Sequence, residues 1–126
     1  MKIIISMLIA VAILIGLSLW TENYLQNTTN EMVGQLHSIE RSIKENNWNT
    51  AEKELGNLKK SWKSSKNLWG ILLDHQEIDQ IDMALSRVNE MILLKDPVNL
   101  LPEMAALKLL VMHIPIKESF RLENIL

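Results

Sequence analysis

The sequence is short of the residues that make turns, disulfides and thiolate sites. Its 126 residues include no Cys, three Pro and four Gly, and aromatic residues make up 5%. Without Cys, a disulfide framework, a thiolate zinc site, a Cys nucleophile and a lipid-acceptor Cys are excluded. Gly and Pro are too few to connect many short strands, and the apolar 48% is mostly Leu, Ile and Met. We therefore expect an all-α fold.

Charge and motif content narrow the classes of function. The net charge is −2, whereas a nucleic-acid-binding domain is normally clearly basic, so no nucleic-acid partner is expected. The serines have no recognisable nucleophile motif, and the sequence has no glycine-rich loop for a phosphate. We predict that the protein is not an enzyme, with an envelope hydrolase as the enzymatic alternative.

The amino-terminal segment is apolar enough to cross a membrane. Residues 3–20 carry no charge, and this length is close to the roughly 20 residues that span a hydrocarbon core. Trp20 and Tyr24 lie where interfacial aromatic residues belong, and Lys2 supplies the positive flank that normally stays in the cytoplasm. We predict a single-pass transmembrane signal anchor over residues 1–26, with a cytoplasmic N terminus.

Such an anchor places one domain, residues 27–126, on the extracytoplasmic side of the cell membrane. About 100 residues are enough for one compact domain and not for two. A signal peptide cleaved near Ser18 is the alternative, since small residues stand at the two key positions before the cut. Both interpretations put the domain outside the cytoplasm.

Four stretches carry core-type residues alternately three and four positions apart, the spacing of one face of an α-helix. We expect the first helix to continue from the anchor and end at Asn46, and Gly70 to separate the second from the third. Pro97 should close the third helix, and Pro115 should end the fourth, with Pro102 in its first turn. The seams are Leu25, Thr29, Met32, Leu36, Ile39 and Ile43; Trp48, Ala51, Leu55, Leu58, Trp62, Ser65 and Trp69; Ile71, Asp74, Ile78, Ile81, Leu85, Val88 and Ile92; and Leu100, Met104, Leu107, Val111 and Ile114. Short connections favour an antiparallel helical bundle of about four helices, arranged as paired helical hairpins.

Polar residues beside the third seam form the first candidate site. His75, Asp79 and Asp82 share one helix face, and an antiparallel fourth helix would bring His113 level with them. Two imidazoles with carboxylates would suit a divalent metal such as zinc, so these four residues are the predicted ligands. The same group could act as a pH-sensitive pair of His and carboxylate. The alternative is that the carboxylates cap helices or pair with Lys and Arg across helices.

Basic residues on the second helix form the second candidate site. Its members are Lys59, Lys60, Lys63, Lys66 and Trp69. A group of this kind can contact anionic lipid head groups or an acidic partner. The alternative is a solvated outer face, with Trp69 in the core.

Several short motifs resemble a known bacterial family. They are Trp48 with Ala51 and Leu55, Trp62, the hexapeptide from Asp74 to Asp79, and the triplet His113-Ile114-Pro115 before Glu118. With the amino-terminal anchor, the whole chain resembles the family known as domain of unknown function 4363, small anchored helical proteins. The resemblance implies a lineage and assigns no activity.

The leading hypothesis is an uncharacterised accessory or interaction protein that binds another membrane or envelope protein. Binding would use the side of the bundle or its membrane-proximal end, where the lysines, the two His residues and the tail with Phe120 and Leu126 should gather. The alternative is a metal- or pH-responsive sensor built on the His and Asp residues.

Overall fold

The computed structural model describes the backbone of residues 1–125 and the side chains of residues 1–115. Within that range the chain forms helices α1 (Lys2–Lys44), α2 (Trp48–Leu72), α3 (His75–Leu93) and α4 (Pro97–Ile125). Both α1 and α3 pack against α2 and α4, so the four helices form a ring around one core. The prediction of an all-α bundle of four helices is confirmed. The tail with Phe120 and Leu126 lies outside the described side chains.

Side-chain hydrogen bonds show how the first two helices are paired. The Gln35 amide donates to the Ser61 hydroxyl at 3.0 Å, and the Ser42 hydroxyl donates to the Glu54 carboxylate at 2.9 Å. Rising residue numbers on α1 therefore meet falling numbers on α2. This is the antiparallel order expected from the short connection between them.

A polar side chain starts each of the three helices that follow a turn. The Asn47 side chain accepts from the Thr50 backbone N–H, Asp74 from that of Gln76, and Asp96 from that of Asn99, each at 3.3 Å. Such caps satisfy backbone N–H groups that have no partner inside the helix and contribute about 1 kcal/mol each. The Asn99 side-chain amide also donates to Asp96, and this hydrogen bond lowers the pKa of the Asp96 carboxyl.

The predicted seams form the core. The buried apolar residues are Leu25, Met32, Leu36, Ile39 and Ile43 from α1; Ala51, Leu55, Leu58, Trp62, Trp69 and Leu73 from α2 and its C-cap; Ile78, Ile81, Ala84, Leu85, Val88 and Ile92 from α3; and Leu100, Met104, Leu107, Val111 and Ile114 from α4. Thr29 is also buried, whereas Trp48 and Ser65 are half-buried. The core-facing stripe of α1 therefore begins at Leu25.

The boundary between α2 and α3 differs from the prediction. α2 continues through Gly70 and ends at Leu72, and Ile71 is 80% exposed. Ile71 and Asp74 are therefore not part of the α3 seam. The cap decides the boundary, because the Asp74 carboxylate can accept from the first turn of α3 only if the chain is extended at this residue.

The three prolines also occupy other positions than predicted. Pro97 is the first residue of α4 and not the end of α3, because a first-turn N–H needs no partner within the helix. Pro102 lies in the second turn of α4. Pro115 does not end α4, which continues to Ile125. Pro115 and its neighbour Ile114 are buried, so packing holds the helix where one backbone hydrogen bond is missing.

The amino-terminal part of α1 projects from the bundle. Its most apolar window of 18 residues has a mean hydropathy of 2.7, and none of it is buried. By length and composition this segment can cross a membrane. The segment Pro97–Pro115 of α4 also passes that test, with a mean hydropathy of 1.2 and 28% of it buried. The expected continuity between the apolar segment and the first bundle helix is confirmed, since α1 has no break.

Candidate functional site

The four residues predicted as zinc ligands do not form a cluster. His75, Asp79 and His113 are exposed, and Asp82 is half-buried. Among the described residues, no three His, Asp or Glu side chains lie close enough together to hold a metal ion. The convergence expected from the helix register is therefore not found.

The direction of Asp82 explains the difference. One oxygen of its carboxylate accepts from the Trp62 indole N–H at 2.6 Å, and the other pairs with the Lys66 ammonium. Both partners belong to α2, whereas His113 belongs to α4, the other neighbour of α3 in the ring. For Asp82, the alternative of pairing with Lys across helices is the one observed.

The tryptophan of the predicted contact surface belongs to the core. Trp69 is fully buried and Trp62 is 3% exposed. Their rings meet edge to face, with centroids 5.4 Å apart and planes at 89°, a geometry that aromatic pairs favour. For Trp69, the alternative of a core position is the one observed, and its seam position, where a large apolar side chain is most stable in the core, is the reason.

The four lysines of α2 have two different environments. Lys59 donates to the Asn89 side chain and Lys66 pairs with Asp82, so both link α2 to α3. Lys60 and Lys63 are exposed to solvent. The structure thus divides the predicted cluster into a helix-linking pair and a solvated pair.

A polar cleft that sequence reasoning did not identify lies between α1 and α4. It has a volume of about 480 Å³ and is lined by His37, Glu40, Arg41, Lys44, Glu45 and Lys108. Glu40 is at its centre, 3.0 Å from the Lys44 ammonium and 3.5 Å from that of Lys108. The hydrogen bond from Lys44 and the charge of Lys108 lower the pKa of Glu40, although burial opposes them. The spacing of His37, Glu40 and Lys44 was the available signal, and the network ties α1 to α4.

The outer side of α4 carries a second apolar seam, also missed by sequence reasoning. We call it the outer α4 strip, and it consists of Val98, Pro102, Ala105, Leu109 and Met112, all exposed. Val98 is 79% exposed, Leu109 63% and Met112 45%. The spacings of four, three, four and three residues put the strip on one helix face, opposite the core seam of the same helix. These spacings can be read from the sequence and were the available signal for the strip.

The outer α4 strip contains no charged residue. The two charged residues between Pro97 and Pro115 are Glu103 and Lys108. The side chains of both lie at the sides of α4, next to the neighbouring helices. Glu103 pairs with Arg87 of α3 at 3.0 Å. Lys108 pairs with Glu40 of α1. The ion pairs therefore border the strip, whose five members are apolar, and the exposed His113 lies beside its end, four residues after Leu109.

A family model described as a domain of unknown function, DUF4363, matches residues 19–125. The chain belongs to the DUF4363 family. The matched range begins within α1 and includes the rest of the bundle, so the core seams and the outer α4 strip are all DUF4363 sequence. The resemblance inferred from the short motifs is confirmed. No curated protein and no solved structure matches the chain.

The described part of this DUF4363 protein offers other molecules an apolar surface and a polar cleft. In the cleft, the Glu40 carboxylate is already held by two ammonium groups. The side chains of the outer α4 strip, by contrast, are apolar and exposed, and covering them removes apolar surface from water, which is favourable. The strip is therefore the stronger candidate for function.

Proposed function

We propose that this DUF4363 protein is a membrane-anchored accessory protein whose extracytoplasmic bundle binds another membrane or envelope protein. The outer α4 strip carries the proposal. It runs from Val98 to Met112 along about 21 Å of helix, and contiguous exposed apolar surface of this kind marks interaction sites. The role requires no catalytic group and no cofactor.

The anchor part of the proposal is supported by α1. The apolar segment passes without a break into the helix that enters the core at Leu25. A helix that crosses the bilayer and continues into the bundle holds the bundle axis near the membrane normal. The outer α4 strip then faces sideways, toward proteins standing on the same membrane. Lys2 at the start of α1 favours a cytoplasmic N terminus.

The binding surface is tested with two charge substitutions at exposed apolar residues. Leu109→Glu lies in the strip, and Met83→Glu, at a residue that is 54% exposed on α3, is the matched control. We expect Leu109→Glu to abolish co-purification of the partner from membranes in mild detergent, and Met83→Glu to keep it. Circular dichroism should show that both variants are folded. Equal loss in both variants, or no loss in either, would remove the strip as the docking surface.

The topology is tested separately with a single cysteine, because the natural chain has none. Lys60→Cys introduces a thiol at an exposed position of α2. A membrane-impermeant maleimide should label this variant in intact cells. Labelling only after the cells are permeabilised would show that the bundle is cytoplasmic.

A further inference from the structure

We propose that the turn between α2 and α3 makes a second contact with the membrane, in which Ile71 enters the lipid head-group layer beside the anchor. The inference rests on the anchor part of the proposed function and goes beyond it, because it assigns lipid contact to a segment outside α1. It depends on the depth of the turn, on its exposed apolar side chain and on the charges around it.

Hydrogen bonds between α1 and α2 give the depth of the turn. Gln35 of α1 is level with Ser61 of α2, and the bond from Ser42 to Glu54 has the same register. Because the two helices are antiparallel, ten residues further toward the anchor Leu25 is level with Ile71. Leu25 is fully buried, as this register requires of a residue beside the end of α2.

The apolar segment shows where the membrane ends along α1. Residues 3–20 span about 27 Å of helix, close to the hydrocarbon thickness of about 30 Å, so the hydrocarbon ends near Trp20. The rings of Trp20 and Tyr24 stack 5.7 Å apart and mark the interface. Leu25 lies about 7.5 Å beyond Trp20, and the head-group layer is roughly 5–7.5 Å thick on each side. The turn at Ile71 therefore stands in the head-group layer.

Depth, and not exposure alone, identifies lipid as the group that covers Ile71. Of the large apolar residues in the described part of the bundle, Ile71 is the most exposed, at 80%. Leu94, in the turn after α3, is 74% exposed. Since α3 runs back along α2, Leu94 lies about 28 Å further from the membrane. At the depth of Ile71, by contrast, membrane-surface helices bury their apolar side chains among lipids.

The charges around the turn fit an apolar contact and not an electrostatic one. α2 carries no charge after Lys66, so the last stretch before Asp74, residues 67–73, is uncharged. The two turns at the other end of the bundle both contain charged residues. The nearest exposed lysine of α2, Lys63, is eight residues or about 12 Å from Ile71. We therefore expect the contact to be independent of anionic lipid.

A second contact limits how the bundle can tilt on the membrane. α1 alone holds the bundle at one point, where it leaves the bilayer. With the α2–α3 turn in the head groups beside α1, the bundle cannot tilt away from the turn without exposing Ile71 to water, which is unfavourable. The outer α4 strip is then held at a constant height and inclination above the membrane.

The test uses full-length single-cysteine variants that carry one fluorescent label in phosphatidylcholine vesicles. Ile71→Cys reports on the α2–α3 turn, Leu94→Cys is the equally exposed control, and Ile13→Cys reports on the middle of the apolar segment. A nitroxide on the lipid near its head group should quench the Ile71→Cys label about three times as strongly as the Leu94→Cys label, or more. A nitroxide near the end of the acyl chain should quench the Ile13→Cys label most. The label is the same in all three variants, so its own affinity for lipid is controlled.

Lipid composition separates the apolar contact from a contact made by the lysines. Adding phosphatidylglycerol to the vesicles should leave the quenching of Ile71→Cys unchanged. Quenching that appears only with this anionic lipid would show that the lysines of α2 bring the turn to the membrane, and insertion of Ile71 would be rejected.

The three positions also separate this proposal from the proposed function. Equally weak quenching of Ile71→Cys and Leu94→Cys, with strong quenching of Ile13→Cys, would leave the anchor and overturn the second contact. Weak quenching of all three would overturn the anchor as well. Strong quenching of both Ile71→Cys and Leu94→Cys would show that the bundle lies along the membrane, and the specific contact through the α2–α3 turn would be rejected.

Discussion

The hydrogen bond between Trp62 and Asp82 should be a major polar contribution to the stability of the bundle. Asp82→Leu removes the acceptor and leaves the indole N–H of a tryptophan that is only 3% exposed without a partner. An orphaned buried donor costs about 1–3 kcal/mol. The same substitution removes the ion pair with Lys66, which is partly exposed and contributes about 0.5 kcal/mol. We expect the free energy of unfolding to fall by about 2 kcal/mol.

Two further variants separate the hydrogen bond from the ion pair. Lys66→Met removes only the ion pair, so the loss should be about 0.5 kcal/mol. In a Trp62→Phe background no indole donor is left, and Asp82→Leu should then cost little more than Lys66→Met does. The difference between the two backgrounds measures the coupling of Trp62 to Asp82.

The assay is urea denaturation of the full-length protein in mild detergent, followed by circular dichroism. Asp82→Leu should shift the midpoint clearly and Lys66→Met only slightly. If both variants lose less than about 0.5 kcal/mol, the hydrogen bond does not stabilise the bundle and the argument from burial is refuted.

Three other predictions use the same denaturation assay. Leu107→Ala, at a fully buried position, should lower the free energy of unfolding by about 3 kcal/mol, whereas Leu109→Ala, at a residue that is 63% exposed, should lower it by less than about 0.5 kcal/mol. Similar losses would contradict the assigned faces of α4. The pKa of Glu40 is lowered in the folded state, mainly by Lys44, so the stabilisation contributed by this carboxylate is complete above the usual value of 4.5 and is lost as pH falls through the lower folded pKa. Glu40→Gln should therefore flatten the profile of stability against pH below pH 4.5. An unchanged profile would reject the pairing. Asn47→Ala removes the α2 cap and should cost about 1 kcal/mol, whereas Asn47→Asp should cost far less.

The helices and most of the core could be predicted because both depend on local periodicity. In α1 the six seam residues from Leu25 to Ile43 are all buried, and so are the five of α4 from Leu100 to Ile114. Helix ends were predicted less well because several residues compete to set them. Gly70 suggested a break, yet the Asp74 cap lies four residues later and determines where α3 begins.

The placement of the candidate metal ligands could not be predicted because it depends on how α3 is rotated between its two neighbours. His75, Asp79 and Asp82 share a face, but the sequence does not say whether that face borders α2 or α4. The indole N–H of Trp62 and the ammonium of Lys66 hold Asp82 on the α2 side. Periodicity locates a face and does not identify its neighbour.

The same limitation explains why the outer α4 strip was missed. Both seams of α4 have the same alternating spacing, so the pattern alone indicates two apolar faces and only burial shows that one remains uncovered. The other bundle helices carry exposed charge on their outer sides, such as Glu31 on α1, Lys60 on α2 and Glu90 on α3. The described part of α4 departs from them, since Glu103 and Lys108 turn toward α3 and α1. A bundle that stood alone would gain nothing from an apolar outer face between Val98 and Met112, so the uncovered strip supports the proposed binding role.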